Sequence, residues 1–319
     1  MEIVGIGNAL MDVIAFVDDD TAPALGFHNN VVAHIDRQRL AGLVASLPGA
    51  VMSAGGGAAN TVRAAALLGG RACFVGCVGV DELGEQYASD LRGSGVECLL
   101  SRSGSPTGVY CALVRPDGGR TLLVSPAAAL DLSLGPAPDG AFRRGALLYL
   151  DGFLASEHGF LMECITRGKS AGMSIALDLG SQGLVRAQRD FLLELIPQSL
   201  DYIFANEDEF AALVDLPMRE GLELLSDLDI EFVIKRADRG AVWARSGSIV
   251  DSPVRELWPV DETGAGDAFA AGFLSARTRG LPPERCLRLG NRVAEEVLAV
   301  PGLDLDPGRL SRAADSVLV

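Results

Sequence analysis

Asp261-Glu-Thr-Gly-Ala-Gly-Asp267-Ala-Phe-Ala-Ala-Gly-Phe273 is the stretch from which the fold is read. Thr263, Gly264, Ala265 and Gly266 lack bulk. The small and apolar residues that follow run to Arg279, before Gly280 and Pro282-Pro283, the pattern of a helix with a stop signal. The Gly-rich turn is therefore a helix N-terminus. Unpaired amides and the positive end of the helix dipole favour an anion there, and glycine lets a phosphate approach the backbone. Asp267 falls in the first turn, where it either caps the helix or takes the proton of an alcohol attacking the bound phosphate. The second use, with Gly264, Ala265 and Gly266 as anion hole, is the arrangement that phosphoryl transfer needs.

At 319 residues, 49% apolar and with 38 glycines, the chain has enough material for one large α/β domain, alone or with a small appendage. A net charge of -15 argues against nucleic acid and anionic membranes as partners. Cys73, Cys77, Cys98, Cys111, Cys164 and Cys286 are scattered through apolar segments with no histidine nearby, so they read as buried free thiols rather than metal ligands. The opening Met-Glu-Ile-Val-Gly-Ile-Gly has no basic leader or long apolar core, and nothing reaches transmembrane length. The expected location is the cytoplasm.

Ile3 to Gly7 reads as a buried parallel strand. Gly5 and Gly7 do not make a dinucleotide fingerprint, because its third glycine would fall at Leu10 and no clean helix follows. Asn8 and Asp12 come next, polar groups at a strand end where open α/β sheets bind ligands. Asp12 has turn capping as its plain alternative. Asp36 to Leu47 reads as a helix. Ser53-Ala-Gly55-Gly56-Gly57-Ala-Ala-Asn60 is a Gly-rich turn feeding a small-residue helix, either a second phosphate site or close helix packing. Thr107 to Ser125 holds two β-rich runs around Arg115-Pro-Asp-Gly-Gly-Arg120, a hairpin that points to an appended sheet.

Farther on, Ala146–Gly152 and Ser174–Leu179 read as strands separated by a helix, the rhythm of a doubly wound sheet. Gly168-Lys-Ser170 is no P-loop, since it ends a helix and position 163 is glutamate. Tyr202 to Asn206 is a strand followed by an acidic helix start, in which Asn206 and Glu209 suit helix capping. Ile230 to Lys235 is a further strand, and Gly240 closes the turn after it.

Together these motifs resemble the ribokinase, or PfkB, family of carbohydrate and nucleoside kinases, and the opening is similar to the adenosine-kinase branch. Glu262 departs from the usual Asp-Thr-Thr-Gly-Ala-Gly-Asp signature, and Gly55, Gly56 and Asn60 match its N-terminal counterpart. The resemblance implies a ribokinase-like three-layer αβα sandwich with a small β-sheet lid. The large domain is expected over 1–12, 36–105 and 126–319, and the lid over 13–35 and 106–125. It implies transfer of the γ-phosphoryl group of ATP, with Mg²⁺, to a sugar or nucleoside, and it admits a monovalent cation. Asp267 would be the base. Asn8, Asp12, Gly55, Gly56 and Asn60 would contact the sugar, and Arg120 the transferred phosphate. Asn206, Lys235, Gly240, Gly264, Gly266 and Asn291 would meet the nucleotide, where relatives often carry glycine in place of Ala237. Asn206 and Glu209 would arrange magnesium through water, so Glu209→Gln is expected to spare thermal stability. A monomer and a homodimer both suit a lid, and a non-catalytic ligand sensor is the rival from another class.

Overall fold

The computed structural model describes residues 2–27, 32–47, 49–134, 140–255, 262–300 and 305–318. Asp261, at the head of the glycine motif, and His28–Asn30 with Val31, inside the first lid insert, lie outside them. The described strands are β1 (Glu2–Ile6), β2 (Leu10–Phe16), β3 (Val32–His34), β4 (Val51–Gly55), β5 (Arg71–Gly79), β6 (Val96–Ser103), β7 (Gly108–Val114), β8 (Arg120–Ser125), β9 (Leu147–Leu150), β10 (Ser174–Asp178), β11 (Tyr202–Asn206), β12 (Glu231–Lys235), β13 (Ala241–Arg245) and β14 (Ser248–Ser252).

Nine of these strands make a large sheet in the order β14-β13-β12-β11-β10-β9-β1-β5-β6. From β6 to β12 the neighbours are parallel, and β13 and β14 add an antiparallel edge. Parallel strands covered on both faces are apolar at every position, as in Leu147-Leu-Tyr-Leu150, where all four residues are buried. Alternate side chains serve opposite cores. Leu147 and Tyr149 join the core that includes Phe269, Phe273 and Leu289 of the helices Ala265–Arg277 and Pro283–Leu298. Leu148 and Leu150 join the core that includes Leu161 and Phe210 of the helices His158–Ser170 and Glu207–Val214. The result is a three-layer αβα sandwich.

A second, five-stranded sheet runs β3-β8-β7-β2-β4. β7 and β8 form the expected hairpin, closed by the Gly118 amide on the Arg115 carbonyl at 2.9 Å. The sheet takes in more chain than the sequence boundaries allow. Leu10 to Asp12 open β2, and Val51–Gly55, assigned from sequence to the large domain, pairs antiparallel with Leu10–Ile14. This long-range pairing leaves no local signature, and the glycines at the end of β4 read as a turn. Asp12 therefore lies on a strand of the small sheet, and β4 leads directly into the helix Gly57–Leu67 of the large one. No helix among the described residues is long and apolar enough to cross a membrane.

Candidate active site

Adjacent parallel strands end at one edge of the large sheet, and the residues there are polar. Asp151 follows β9, Asp178 ends β10, Asn206 ends β11 and Lys235 ends β12, where it is in register with Asn206. The carboxyl ends of such strands are where open α/β sheets take ligands. A cavity of about 810 Å³ opens over this edge, lined by these four residues together with Glu209, Gly240, Ala265, Gly266, Asp267 and Asn291. That volume falls in the range of small-molecule sites.

The glycine turn closes one side of it. Gly264 is the N-cap of the helix Ala265–Arg277, in the left-handed conformation with φ 73°, and no side chain caps the helix. Asp267 is thus an inward-facing residue of the first turn rather than a cap. Its Oδ2 accepts from Asn60 Nδ2 at 3.0 Å. Burial first, and then the charge of Asp178, push the Asp267 carboxyl up to about 7, against the opposing effects of Asn60 and Lys235.

Lys235 Nζ donates to Asp178 Oδ2 at 2.8 Å and faces the glycine turn: a side chain at Gly266 would begin 3.3 Å from Nζ. Burial pulls the ammonium down, but the Asp178 and Glu209 carboxylates outweigh it and leave it above its ordinary value. Asp178 is held further by the Tyr149 hydroxyl at 3.0 Å and the Gly180 amide at 3.1 Å. Neither Asp151 nor Asp178 is singled out by motif, although each ends a buried apolar strand just as Asn206 does.

Asn206 and Glu209 form a full capping box. Asn206 Oδ1 accepts from the Glu209 amide, and Glu209 Oε2 accepts from the Asn206 amide, each at 2.8 Å. Asn206 Nδ2 also donates to Glu209 Oε1 at 2.8 Å, so both carboxylate oxygens are engaged and the residue is 5% exposed. Glu209 therefore does hold the fold, which corrects the expectation that replacing it leaves stability untouched. Its pKa is raised by burial and by Asp178.

The N-terminal glycines act by close approach. A side chain on Gly55 would meet the Asp12 carboxylate at 2.1 Å, and one on Gly56, where φ is 99°, would meet the Asn8 carbonyl at 2.2 Å. These residues, with Asn60, do not line the large cavity; they stand behind it, joined to it through the bond from Asn60 to Asp267. Arg120 on β8 reaches the turn directly, with Nη1 donating to Thr263 Oγ1 at 3.1 Å. On the opposite side Asn291 donates to Ser252, while Gly240 has φ 81° and no room for a side chain against the Ser252 carbonyl. Ala237, with φ 49°, holds a left-handed position that glycine fills more cheaply.

Asp12 is 8% exposed, and burial followed by the charge of Asp267 lifts it to about 8 from 3.8, with Arg63 opposing. Between those values the folded protein retains a proton that the unfolded chain has released, so Asp12 subtracts stability as pH rises through that window. Asp12→Asn is accordingly expected to melt higher than the parent at about pH 8, with the gain vanishing near pH 4, the unfolded value. Thermal melts of both proteins across pH check this; a gain that grew toward acid would contradict the assigned burial.

The pfkB family carbohydrate kinase profile matches residues 2–307. Among solved structures, adenosine kinase from Sinorhizobium meliloti superposes with a TM-score of 0.88 at 30% identity, covering 99% of this chain and 98% of that one. An ATP-dependent ribose-1-phosphate kinase from Halopiger xanaduensis is 31% identical over 82% of this chain and 86% of its own. Adenosine kinase 2 from Arabidopsis thaliana is 24% identical over 94% of each. The chain belongs to the pfkB family of sugar and nucleoside kinases, and it is a phosphotransferase.

Proposed function

We propose that this phosphotransferase moves the γ-phosphoryl group of ATP to a hydroxymethyl oxygen of a nucleoside or sugar. The observation that carries the proposal is the placement of Asp267, a half-buried carboxylate that caps nothing, lines the cavity beside the glycine turn of an uncapped helix and is pushed up to about 7. A group poised so near neutrality suits a general base for the acceptor alcohol. The amides of Gly264 and Gly266 form the anion hole, the Ala265 amide being engaged with the Glu262 carbonyl at 3.2 Å, which corrects its place among the unpaired donors, and Lys235 adds positive charge at the rim. Asn8, Asp12, Gly55, Gly56 and Asn60 hold the acceptor, Arg120 brings the small sheet to the transferred phosphate, and that sheet serves as the lid. Asn206, Gly240 and Asn291 lie on the nucleotide side.

Magnesium fits the same cavity. It is usually held by one or two carboxylates, by waters and by the nucleotide's own phosphates. Among the described residues no three histidine, cysteine or acidic side chains are grouped to hold a metal. The engaged oxygens of Glu209 leave it a water-mediated role. Bound there, the ion would neutralise phosphate charge. Glu209→Gln keeps one acceptor of the capping box but sets an amide against Asn206 Nδ2. The variant is expected to lose about 1 kcal/mol of stability and to need more magnesium for half-maximal turnover. Melting and magnesium titration check both halves, and an unchanged magnesium requirement would remove Glu209 from the metal site.

The similarity to adenosine kinases favours a nucleoside as acceptor, and relatives named as kinases give the sensor alternative no support. An ADP-release screen over adenosine, other nucleosides, ribose and fructose, with magnesium and potassium present, tests the proposal. Acceptor-dependent ADP from at least one of them is expected. Tight binding of one acceptor with no turnover of any would hand the site to the sensor reading.

A further inference from the structure

The helix Pro283–Leu298 turns one face to the cavity. Asn291, Ala294, Glu295 and Leu298 all line it, at the spacing that puts residues on one side of a helix. The short turn Thr278–Pro282 folds this helix back along Ala265–Arg277. The two touch through glycine: a side chain on Gly290 would meet the Phe269 ring at 2.8 Å, and one on Gly272 the Leu289 carbonyl at 2.8 Å. One turn back from Phe269 is Ala265 at the anion turn, and one turn on from Gly290 is Ala294. Glu295 therefore faces the anion turn across the gap between the helices. Packed helices lie about 8–10 Å apart, which is comparable with the reach of a nucleotide from its phosphates to its base. Val254, Phe269, Ala294 and Leu298 supply apolar walls for a flat ring.

The polar groups on that helix face are acceptors. Asn291 Nδ2 donates to the Ser252 carbonyl at 3.1 Å and to Ser252 Oγ at 3.2 Å. A carbonyl only accepts, so the amide is fixed and Oδ1 is the atom left for a ligand. The Glu295 side chain is only 14% exposed. Its Oε2 accepts from Arg292 Nη1 at 2.8 Å, and Oε1 has no partner among the described residues. An ion pair three residues apart is ordinary helix-surface chemistry. A carboxylate so enclosed, with one oxygen unspent in the wall of a ligand cavity, calls for a donor. The nearby cations do not supply it. Arg292 is spent on Oε2, Lys235 pairs with Asp178, and Arg255 lines the cavity but is exposed, so its charge is screened by solvent. Asp238 and Glu262, also on the lining, are exposed acceptors.

We infer that Glu295 reads the base of the phosphoryl donor, accepting a hydrogen bond from an exocyclic amine and so selecting an amino-bearing base over a keto one. This rests on the kinase reading above and deepens it. The two N–H bonds of an amine diverge, and at about 2.9 Å each they put their acceptors about 5 Å apart. Side chains four residues apart on a helix start about 5–6 Å apart, so Asn291 Oδ1 and Glu295 Oε1 can share one amine. A keto oxygen in the same place would face two acceptors. The N1–H and 2-amino groups of guanine lie side by side and ask for both oxygens of one carboxylate, of which Glu295 has given one to Arg292.

The test compares donors in two ways. ATP, purine riboside triphosphate, ITP and GTP are offered as phosphoryl donors to the acceptor found by the screen. ADP, purine riboside diphosphate and IDP are titrated by calorimetry with magnesium and no acceptor. Purine riboside lacks only the amine, and inosine has a keto group in its place. KM is expected to rise about tenfold or more from ATP to purine riboside triphosphate, the scale of a hydrogen bond to a charged group. ITP and GTP should fall below ATP by about 100-fold or more in kcat/KM, and the diphosphates should bind in the same order. Glu295→Gln, whose amide can turn its NH2 toward a keto oxygen, should narrow the ratio of ATP to ITP by about tenfold or more, through KM rather than kcat. A residue that only paired with Arg292 would leave that ratio unmoved. Use of ITP or GTP equal to that of ATP, equal binding of ADP and IDP, or an unmoved ratio in the variant overturns the inference and leaves the kinase reading intact. Amine-selective binding of the diphosphates with no turnover from any donor overturns the kinase reading and leaves Glu295 as the reader of the base. Silence in both measurements overturns both.

Discussion

Asp267→Asn is expected to fold, to bind ATP and acceptor, and to turn over at roughly a hundredth of the parent rate or less, the usual scale for loss of a general base. Folding should survive because Asp267 caps nothing, and asparagine keeps an oxygen for Asn60 Nδ2 in nearly the same volume. Removing a half-buried carboxylate that feels Asp178 also relieves repulsion. The loss should fall on kcat, since deprotonation belongs to the transition state. The pH profile gives an independent check. Turnover of the parent should rise as pH passes about 7, where Asp267 ionises, and the variant should lack that rise. Parent-like turnover by the folded variant would leave the mechanism without its base.

Lys235→Met has the next largest expected effect, and it acts on two quantities that can be separated. The substitution leaves the mostly buried Asp178, whose side chain is 13% exposed, without its cation. Breaking such a pair costs about 3–5 kcal/mol in general, and the lower end applies here because Tyr149 and Gly180 still hold the carboxylate. The same change removes the positive charge at the anion turn, so kcat should drop by about 100-fold or more. The double variant Lys235→Met/Asp178→Asn distinguishes the two. Its melting temperature should recover most of the loss, because no unpaired charge remains, while its turnover stays low. Recovery of turnover together with stability would make Lys235 merely the partner of Asp178.

Much of this site is legible in the sequence because its signals are local. The run from Thr263 to Phe273 announces a helix entered through glycine, and Gly55-Gly56 announces a place where chains approach closely; the structure supplies the partners, Asp12 and the Asn8 carbonyl. The pair Asn206 and Glu209 is legible but ambiguous, since one spacing of three residues serves both a capping box and a metal motif. What escapes is long-range. Asp178 and Lys235 are 57 residues apart and meet only because their strands flank β11 in the sheet. The pairing of β4 with β2 leaves no trace in either segment alone. Asp151 escapes for a different reason: it is visible at the end of an apolar strand, by the same rule that marks Asn206, but no motif draws attention to it.

The most direct test of the central claim is to see where the phosphoryl group goes. Proton-coupled phosphorus NMR of a reaction containing ATP, magnesium and the acceptor found by the screen identifies the new ester from its coupling. Transfer to a hydroxymethyl oxygen predicts a phosphomonoester signal split by two equivalent or nearly equivalent methylene protons, growing in step with ADP and absent with Asp267→Asn. Inorganic phosphate as the only product, or an ester coupled to a single proton, would contradict the account.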